Sequence, residues 1–273
     1  MENADTQKYI EEERRIKETI SKIKNRIAVF SGKGGVGKTT VAVNLAYSLQ
    51  SEGYETGILD ADITGPNVPK MMGINSEAIV LNESLFPYEK YGLKMISIAG
   101  LIEPGKALIW RGPMRSKVIN QFLADVEWGE LDYLIADLPP GTGDEILTVA
   151  QQMRPDYAVV VTTPQEVSVI DAERAIDMAI QLNIKNIGVV ENMSGFVCPN
   201  CNSKIDLFGS GGGKNLAEKY GVDFLGSIPI DANAPALGDL GTPIVLKNPD
   251  SLVSEAFVEI AKNICNKINV IIK

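Results

Sequence analysis

A glycine-rich segment, "VFSGKGGVGKTT" at residues 29–40, carries the residue types that bind phosphate. Its Gly-x-x-x-x-Gly-Lys-Thr spacing matches the phosphate-binding loop pattern, in which glycines let backbone N–H groups turn toward phosphate oxygens. A β-branched apolar run precedes the loop and a helical pattern follows it, which is the context that this motif requires. The predicted nucleotide-binding residues of the loop are Gly32, Lys33, Gly34, Gly35, Val36, Gly37, Lys38, Thr39 and Thr40.

The loop contains two lysines, whereas phosphate binding normally needs one. Lys38 is expected to neutralise the β- and γ-phosphates, and the Thr39 hydroxyl is expected to ligate Mg²⁺. Lys33 comes one residue into the loop. Phosphoryl transfer is accelerated by a cation placed against the developing charge, and another chain can supply that cation. Lys33 is therefore a candidate catalytic residue that reaches across a dimer, although its spacing alone does not establish this role.

Three aspartates follow apolar runs and are candidates for the chemistry around Mg²⁺. Asp137 closes "DYLIAD" and is expected to hold Mg²⁺, usually through water. Asp62 could orient or deprotonate the attacking water, and Asp60 could help to hold Mg²⁺ or its own loop. The alternative for each is an ordinary aspartate that hydrogen-bonds within a turn at the end of a strand.

Cys198 and Cys201 form a Cys-x-x-Cys pair, and the chain has no histidine. The pair is typical of a zinc or iron–sulfur site, with a redox dithiol and an unliganded loop as alternatives. Two thiolates are too few for a tetrahedral zinc site or a cubane cluster, which take about four. The third cysteine, Cys265, lies in an apolar helical stripe and is expected in the core. The ligand shortage suggests that two chains each donate two cysteines.

Short apolar strands that alternate with helical patterns must position these residues. Because the strands are apolar on consecutive residues, they are expected to be buried on both faces, as in a parallel sheet. The predicted fold is an α/β doubly wound, mostly parallel sheet with helices on both faces. Strands are expected at 26–31, 56–60, 93–99, 132–137, 157–163, 187–192 and 224–229, and helices at 39–50, 114–123, 167–182 and 251–269.

Length and charge narrow the possible functions. The chain has 273 residues and a net charge of −9, and this acidity argues against nucleic acid as the main partner. We expect a charged helical extension at 1–24 and one ATPase domain at 25–273, in the cytoplasm and without stable membrane association. The C-terminal helix either docks on the sheet, which we favour, or anchors on a membrane surface through Lys262, Lys267 and Lys273.

The loop "KGGVGKTT" resembles the deviant Walker A loop of the MinD/ParA/nitrogenase-iron-protein class of dimeric ATPases. Three further segments, "WRGPM" at 110–114, "DYLIADLPPGTGDE" at 132–145 and "ENMSGFVCPNC" at 191–201, resemble the Mrp/ApbC family of iron–sulfur cluster carrier ATPases. The resemblance implies that Lys33 reaches the nucleotide of the facing subunit. It implies that Asp62 is the switch I carboxylate and Asp137 the Mg²⁺-linked switch II carboxylate. It further implies contacts to adenine from a group of residues: Asn192, Pro229, Ile230 and Asp231.

The chain departs from this family at Asn200, where many relatives have histidine, and it lacks the extra N-terminal cysteines of the eukaryotic carriers. The resemblance predicts a homodimeric carrier that uses ATP and Mg²⁺ and holds a labile iron–sulfur cluster, of the 4Fe-4S type, between its subunits. Its expected partners are a cluster assembly scaffold and recipient apo-proteins. Two alternatives stay open: a MinD/ParA-like positioning ATPase and a zinc-stapled regulatory ATPase.

Overall fold

The computed structural model describes residues 2–75, 79–81, 84–101, 112–141, 143–198, 200–201 and 203–271. Of the four quoted motif segments and the lysines of the C-terminal helix, the residues outside the described ranges are Trp110, Arg111, Thr142, Pro199 and Lys273.

The described residues form a nine-stranded sheet and a separate two-stranded one. The strands are β1 (Ile23–Phe30), β2 (Thr56–Asp60), β3 (Ile79–Leu81), β4 (Ser84–Phe86), β5 (Tyr88–Lys90), β6 (Leu93–Ser97), β7 (Leu131–Asp137), β8 (Tyr157–Thr162), β9 (Asn186–Val197), β10 (Lys204–Ile205) and β11 (Asp223–Ile230). In the large sheet the order is β10-β9-β8-β1-β7-β2-β6-β5, and β11 also pairs with β9. Every pairing in it is parallel except those of β5 with β6 and β10 with β9.

Helices cover both faces of this sheet. They are α1 (Glu2–Ser21), α2 (Lys38–Ser51), α3 (Val68–Met72), α4 (Gly112–Ala124), α5 (Asp144–Gln152), α6 (Glu166–Gln181), α7 (Gly212–Tyr220), α8 (Ala234–Asp239), α9 (Ile244–Lys247) and α10 (Leu252–Ile271). Along β1, Ala28 and Phe30 join the core cluster of α4, α5, α6 and α7, whereas Ile27 and Val29 join that of α2 and α10. Successive side chains of a strand point to opposite faces, so these consecutive apolar residues fill two cores. The predicted fold class is confirmed.

The parallel strands bring the candidate aspartates to one edge. β7 lies between β1 and β2, and the register pairs Asp137 with both Val29 and Asp60. The loop between β1 and α2 therefore begins beside the carboxyl ends of β2 and β7. In open α/β sheets this edge is the place where ligands bind.

The two terminal helices pack on opposite faces. In α1, Ile16 is buried, and Glu12 accepts a hydrogen bond of 2.8 Å from Asn120 of α4. The boundary between residues 24 and 25 stays a prediction.

In α10, Phe257, Ile260 and Ile264 are almost completely buried, as expected for a docked helix. The two lysines of α10 that the membrane hypothesis used pair with acidic side chains, Lys262 with Glu52 and Lys267 with Asp223. No helix among the described residues is long and apolar enough to cross a bilayer.

Candidate nucleotide site and cysteine hairpin

The loop between β1 and α2 has the backbone that a phosphate site requires. Gly35 and Gly37 adopt the left-handed conformation, with φ of 83° and 84°. A Cβ at Gly32 would lie 1.9 Å from the Asp171 carbonyl oxygen, so no other residue fits there. No side chain caps the N-terminus of α2, where Gly37 is the N-cap residue. The first N–H groups of this helix therefore add a positive dipole end to the loop.

Lys38 and Thr39 both contact Asp137. Lys38 Nζ lies 2.5 Å from Asp137 Oδ1, and Thr39 Oγ1 donates a 2.7 Å hydrogen bond to Asp137 Oδ2. Lys38 and Asp137 are almost completely buried. Burial raises the pKa of Asp137, while the positive charge and hydrogen bond of Lys38 oppose that rise. The structure thus gathers the three predicted phosphate and Mg²⁺ residues into one hydrogen-bonded group.

Asp60 lies beside this group at the end of β2. It is completely buried, and Ser97 Oγ donates a 2.9 Å hydrogen bond to its Oδ2. Burial, and then the nearby charge of Asp137, raises the pKa of Asp60 well above its ordinary value. Ser97 was not predicted as a site residue, although it ends β6, the strand next to β2.

Asp62 lies in the loop after β2, with one oxygen engaged in a turn. Its Oδ1 accepts hydrogen bonds from Thr64 Oγ1 at 2.9 Å and from the Gly65 N–H at 3.1 Å. Its Oδ2 accepts no hydrogen bond from any described residue. The turn geometry of the alternative interpretation is present, and one oxygen remains for a water molecule.

Lys33 differs from Lys38 in its surroundings. It is partly exposed, and it forms neither an ion pair nor a side-chain hydrogen bond with another residue that the structure describes. A Cβ placed on the neighbouring Gly34 or Gly35 would meet nothing within 4 Å. The loop around Lys33 is therefore open, and its action on a facing subunit stays a prediction.

A cavity of about 590 Å³ lies beside the loop. Its lining includes all four residues that the resemblance assigned to adenine: Asn192, Pro229, Ile230 and Asp231. Gly37, Thr39 and Thr40 line it as well, and Phe257 contributes to its apolar wall. Asn192 Nδ2 donates a 2.9 Å hydrogen bond to the Val36 carbonyl oxygen. The volume lies within the range of roughly 300–1,000 Å³ that is usual for small-molecule sites.

The cysteine pair lies in the loop of a β-hairpin, between β9 and β10. β9 continues five residues past the predicted strand end at 192, and β10 pairs antiparallel with it, Lys204 opposite Val197. The Cys198 N–H donates a 2.9 Å hydrogen bond to the Ser203 carbonyl oxygen. We call residues 194–207 the cysteine hairpin.

Within this hairpin, Cys201 is exposed and Cys198 is partly exposed. Hydrogen bonding to Ser203, and then to Cys198, lowers the pKa of Cys201. A lowered pKa favours the thiolate, which is the form that binds metal. Among the described residues no group of three or more potential metal-ligating side chains is assembled, so Cys198 and Cys201 have no further protein ligand nearby. Cys265 is buried as predicted, and the Tyr133 hydroxyl contacts its Sγ at 3.2 Å.

The family model named ParA, described as the NUBPL iron-transfer P-loop NTPase, matches residues 22–265. The chain belongs to this family. The match covers both the phosphate loop and the cysteine hairpin. The resemblance found in the sequence is therefore confirmed.

Individual proteins are also similar to this chain over most of their length. A protein of Pyrococcus horikoshii named iron-sulfur cluster carrier protein is 49% identical, over 94% of this chain and 90% of its own length. A protein of the same name from Methanocaldococcus jannaschii is 51% identical, over 97% and 92%. A solved nucleotide-binding protein from Archaeoglobus fulgidus in complex with ADP superposes with a TM-score of 0.77 at 43% identity, over 90% of this chain and 96% of its own.

MinD proteins are similar to this chain in fold. The MinD protein of Pyrococcus horikoshii complexed with Mg-ADP gives a TM-score of 0.62 at 22% identity, over 88% of this chain and 96% of its own. At that identity the likeness extends to the P-loop NTPase fold and no further. The relatives named as carriers share about twice that identity.

In this chain, the sequence did not lead us to predict a role for one buried acidic residue. Glu191 lies in β9 beside Asn192 and is completely buried. It accepts hydrogen bonds from Ser194 Oγ and from the N–H groups of Gly211 and Gly213. The available signal was a glutamate inside the apolar run "IGVVEN", since charged residues are rarely buried without partners.

Proposed function

We propose that this chain is an ATP-dependent iron–sulfur cluster carrier that binds Mg-ATP at the loop of residues 32–40 and a cluster at Cys198 and Cys201. The observation that carries the proposal is the joint presence of two features at one edge of the sheet. One is the buried Lys38–Asp137–Thr39 group beside the cavity, and the other is the exposed Cys-x-x-Cys hairpin. The relatives named iron-sulfur cluster carrier protein support this combination.

The proposed nucleotide contacts follow from the loop and the cavity. Lys38 and the uncapped N-terminus of α2 bind the phosphates, while Asn192 and the turn at 229–231 flank the base. The Thr39 hydroxyl and the carboxyl groups of Asp137 and Asp60 are oxygen donors of the kind that Mg²⁺ prefers. Bound there, Mg²⁺ would neutralise charge on the phosphate oxygens.

In hydrolysis, we assign proton transfer to Asp62. A water oxygen attacks the γ-phosphorus, the bond from this phosphorus to the β–γ bridging oxygen breaks, and ADP leaves. Asp62 Oδ2, which accepts no hydrogen bond from a described residue, accepts the proton of the water. Lys33 of a second subunit stabilises the charge that develops on the transferred group.

We propose a homodimer because the cysteine hairpin supplies only two thiolates. Two hairpins facing each other would give the four that a 4Fe-4S cluster takes. Separation of the subunits would then halve the ligand set, which suits a cluster that must be released to apo-proteins or received from a scaffold. This carrier would act in the cytoplasm.

Anaerobic reconstitution with iron and sulfide tests this function. Wild type is compared with the double variant Cys198→Ser/Cys201→Ser by absorption spectrum and by iron and sulfide content. Because both cysteines lie on an exposed hairpin, the double variant should fold normally and retain no cluster.

The matched control is Cys265→Ala, which removes the buried cysteine and should retain the cluster. A double variant that binds iron and sulfide as wild type does would contradict the proposed site. Zinc without sulfide in anaerobically purified wild type would instead favour the zinc-stapled ATPase.

A further inference from the structure

The cysteine hairpin begins and ends at the cavity. Asn192 and Met193 precede the hairpin, Phe208 follows it, and all three residues line the cavity of about 590 Å³. Both ends of the hairpin therefore adjoin the wall of the proposed nucleotide site. A nucleotide in this cavity would touch the two ends of the segment that carries Cys198 and Cys201.

β9 has an irregular register between its cavity-lining residues and the hairpin. Asn192 pairs with Ile228 of β11 and Phe196 pairs with Ile230, so three residues of β9, 193–195, lie opposite one residue of β11. Met193 has a φ of 58° and Gly195 a φ of 80°. A positive φ is uncommon for a residue other than glycine, and it persists only where surrounding contacts hold it. We call residues 193–195 the β9 bulge.

Glu191 contacts both this bulge and the start of α7. Its Oε1 accepts a 2.6 Å hydrogen bond from Ser194 Oγ, inside the bulge, and a 3.1 Å bond from the Gly211 N–H. Its Oε2 accepts a 2.6 Å bond from the Gly213 N–H, at the start of α7. One buried side chain therefore ties the strand that enters the hairpin to the helix that follows it.

The glycines of the segment "GSGGGK" at 209–214 fit this arrangement. A Cβ at Gly213 would lie 2.9 Å from the Glu191 Cβ, and one at Gly212 would lie 2.7 Å from the Pro164 carbonyl oxygen. Gly211 has a φ of 79°. Gly213 can approach Glu191 this closely because it has no side chain.

We propose that Glu191 is a positioning residue that couples the nucleotide cavity to the cysteine pair. Contacts of the nucleotide with Met193 and Phe208 change the β9 bulge, and Glu191 makes the two ends of the hairpin move together. The spacing and exposure of Cys198 and Cys201 then depend on nucleotide. This coupling rests on the proposed function, since it assigns a nucleotide to the cavity and a metal to the cysteines.

Thiol reactivity of the full-length, metal-free, reduced protein tests the coupling without a cluster. The rate at which Cys198 and Cys201 react with 5,5′-dithiobis(2-nitrobenzoate) is measured with and without saturating Mg-ADP, which excludes hydrolysis. Single Cys→Ser variants assign the two rates, and the buried Cys265 gives a separate slow phase. In wild type, Mg-ADP should change the rates by about fivefold or more.

Glu191→Gln keeps the size of the side chain but replaces one of its two acceptor oxygens with an NH₂ group. The glutamine therefore cannot accept all three hydrogen bonds. It should bind Mg-ADP as tightly as wild type, while the effect of Mg-ADP on the thiol rates falls below about twofold. Ser194→Ala, which removes only the contact inside the bulge, should lose part of the effect and serves if Glu191→Gln does not fold.

The matched control is Glu173→Gln on α6. Glu173 also holds α7, through Lys219 and Tyr220, but it forms no hydrogen bond or ion pair with a described residue of the hairpin. A merely structural role for Glu191 predicts that both variants lose thermal stability and keep the wild-type response to Mg-ADP. Coupling predicts that only Glu191→Gln loses the response.

An undiminished response in Glu191→Gln and Ser194→Ala, or no response in wild type, would overturn the coupling. These results are distinct from failure of the proposed function. That failure would appear as cluster binding that persists without Cys198 and Cys201 in the reconstitution experiment.

Discussion

The nucleotide cavity and the cysteine hairpin lie at the same edge of the sheet but are built differently. The residues around the cavity come from distant parts of the chain, and Lys38, Asp60 and Asp137 are buried and hydrogen-bonded to one another or to neighbouring strands. The hairpin is one short segment with two accessible thiols and no further ligand among the described residues. The fold of a single chain thus gathers the buried part of the first site, and it leaves the second with two thiols, which are half of the proposed ligand set.

This difference predicts different responses to substitution. Changes at the buried charged groups beside the cavity should affect stability, pH dependence and nucleotide chemistry together, because buried charged groups are coupled. Changes at the two hairpin cysteines should affect metal binding and leave the fold intact. The predictions that follow run from the largest expected effect to the smallest.

Lys33→Ala should slow ATP hydrolysis on the order of 10³-fold, the size seen when a cation supplied in trans is lost. Because Lys33 forms no ion pair with another described residue, nucleotide affinity and the free energy of unfolding should stay near wild type. Steady-state hydrolysis and calorimetric titration with ADP measure the two effects. Equal losses of rate and affinity would mean that Lys33 binds its own phosphates.

Lys38→Ala should weaken nucleotide binding by about 100-fold, as expected when a hydrogen bond to a charged group is removed. It should also cost about 3 kcal/mol in the free energy of unfolding, because Asp137 loses its buried partner. Calorimetric titration and urea unfolding check the two losses. Unchanged stability would show that the buried pair is not formed in solution.

These two lysines show what sequence could and could not predict. The loop, the strands and the aspartates at the strand ends follow from local spacing and from the parallel sheet, and the structure gathers them as expected. The contact of Lys38 with Asp137 depends on the order of β1 and β7, residues 99 positions apart.

Two kinds of feature could not be predicted from the sequence: side chains with distant partners and very short strands. Ser97 has a role set by Asp60, which lies 37 positions away, so no local pattern marked it. Glu191 was marked only by its charge inside an apolar run, and its partners Gly211 and Gly213 lie 20 and 22 positions away. The strands β3, β4, β5 and β10 have two or three residues each, too few for a periodic pattern. The cysteine hairpin was missed as a hairpin because β10 is one of these.

Asp60→Asn should flatten the pH dependence of stability in metal-free protein. The folded-state pKa of Asp60 lies above that of the unfolded chain, which is about 4. The stabilisation from its bound proton is therefore full below about pH 4 and is lost as pH rises through the folded pKa. Asparagine does not ionise, so urea unfolding from pH 5 to 8 should show a smaller decline than in wild type.

The matched variant for this experiment is Asp62→Asn, which changes a partly exposed aspartate two residues away. After burial and the charge of Asp137, the charge of Asp62 also raises the pKa of Asp60, so this variant should reduce the decline by less than Asp60→Asn does. Parallel curves for wild type and Asp60→Asn would show that the Asp60 proton does not contribute.

Cys201→Ser should change the free energy of unfolding of metal-free protein by less than about 0.5 kcal/mol, since the side chain is exposed. Cys265→Ala should cost about 1–3 kcal/mol, because the buried Tyr133 hydroxyl loses its hydrogen-bond partner. Urea unfolding of both variants compares hairpin and core directly. A large loss for Cys201→Ser would mean that the hairpin is part of the folded core.

The most direct test of the proposal that each chain supplies half of the cluster ligands is to measure the mass and the composition of anaerobically reconstituted protein. Light scattering after gel filtration gives the number of chains, and iron, sulfide and protein analysis gives the number of clusters. The account predicts two chains for each 4Fe-4S cluster, with the cluster lost when the dimer separates. A monomer that retains a full complement of iron and sulfide would contradict it.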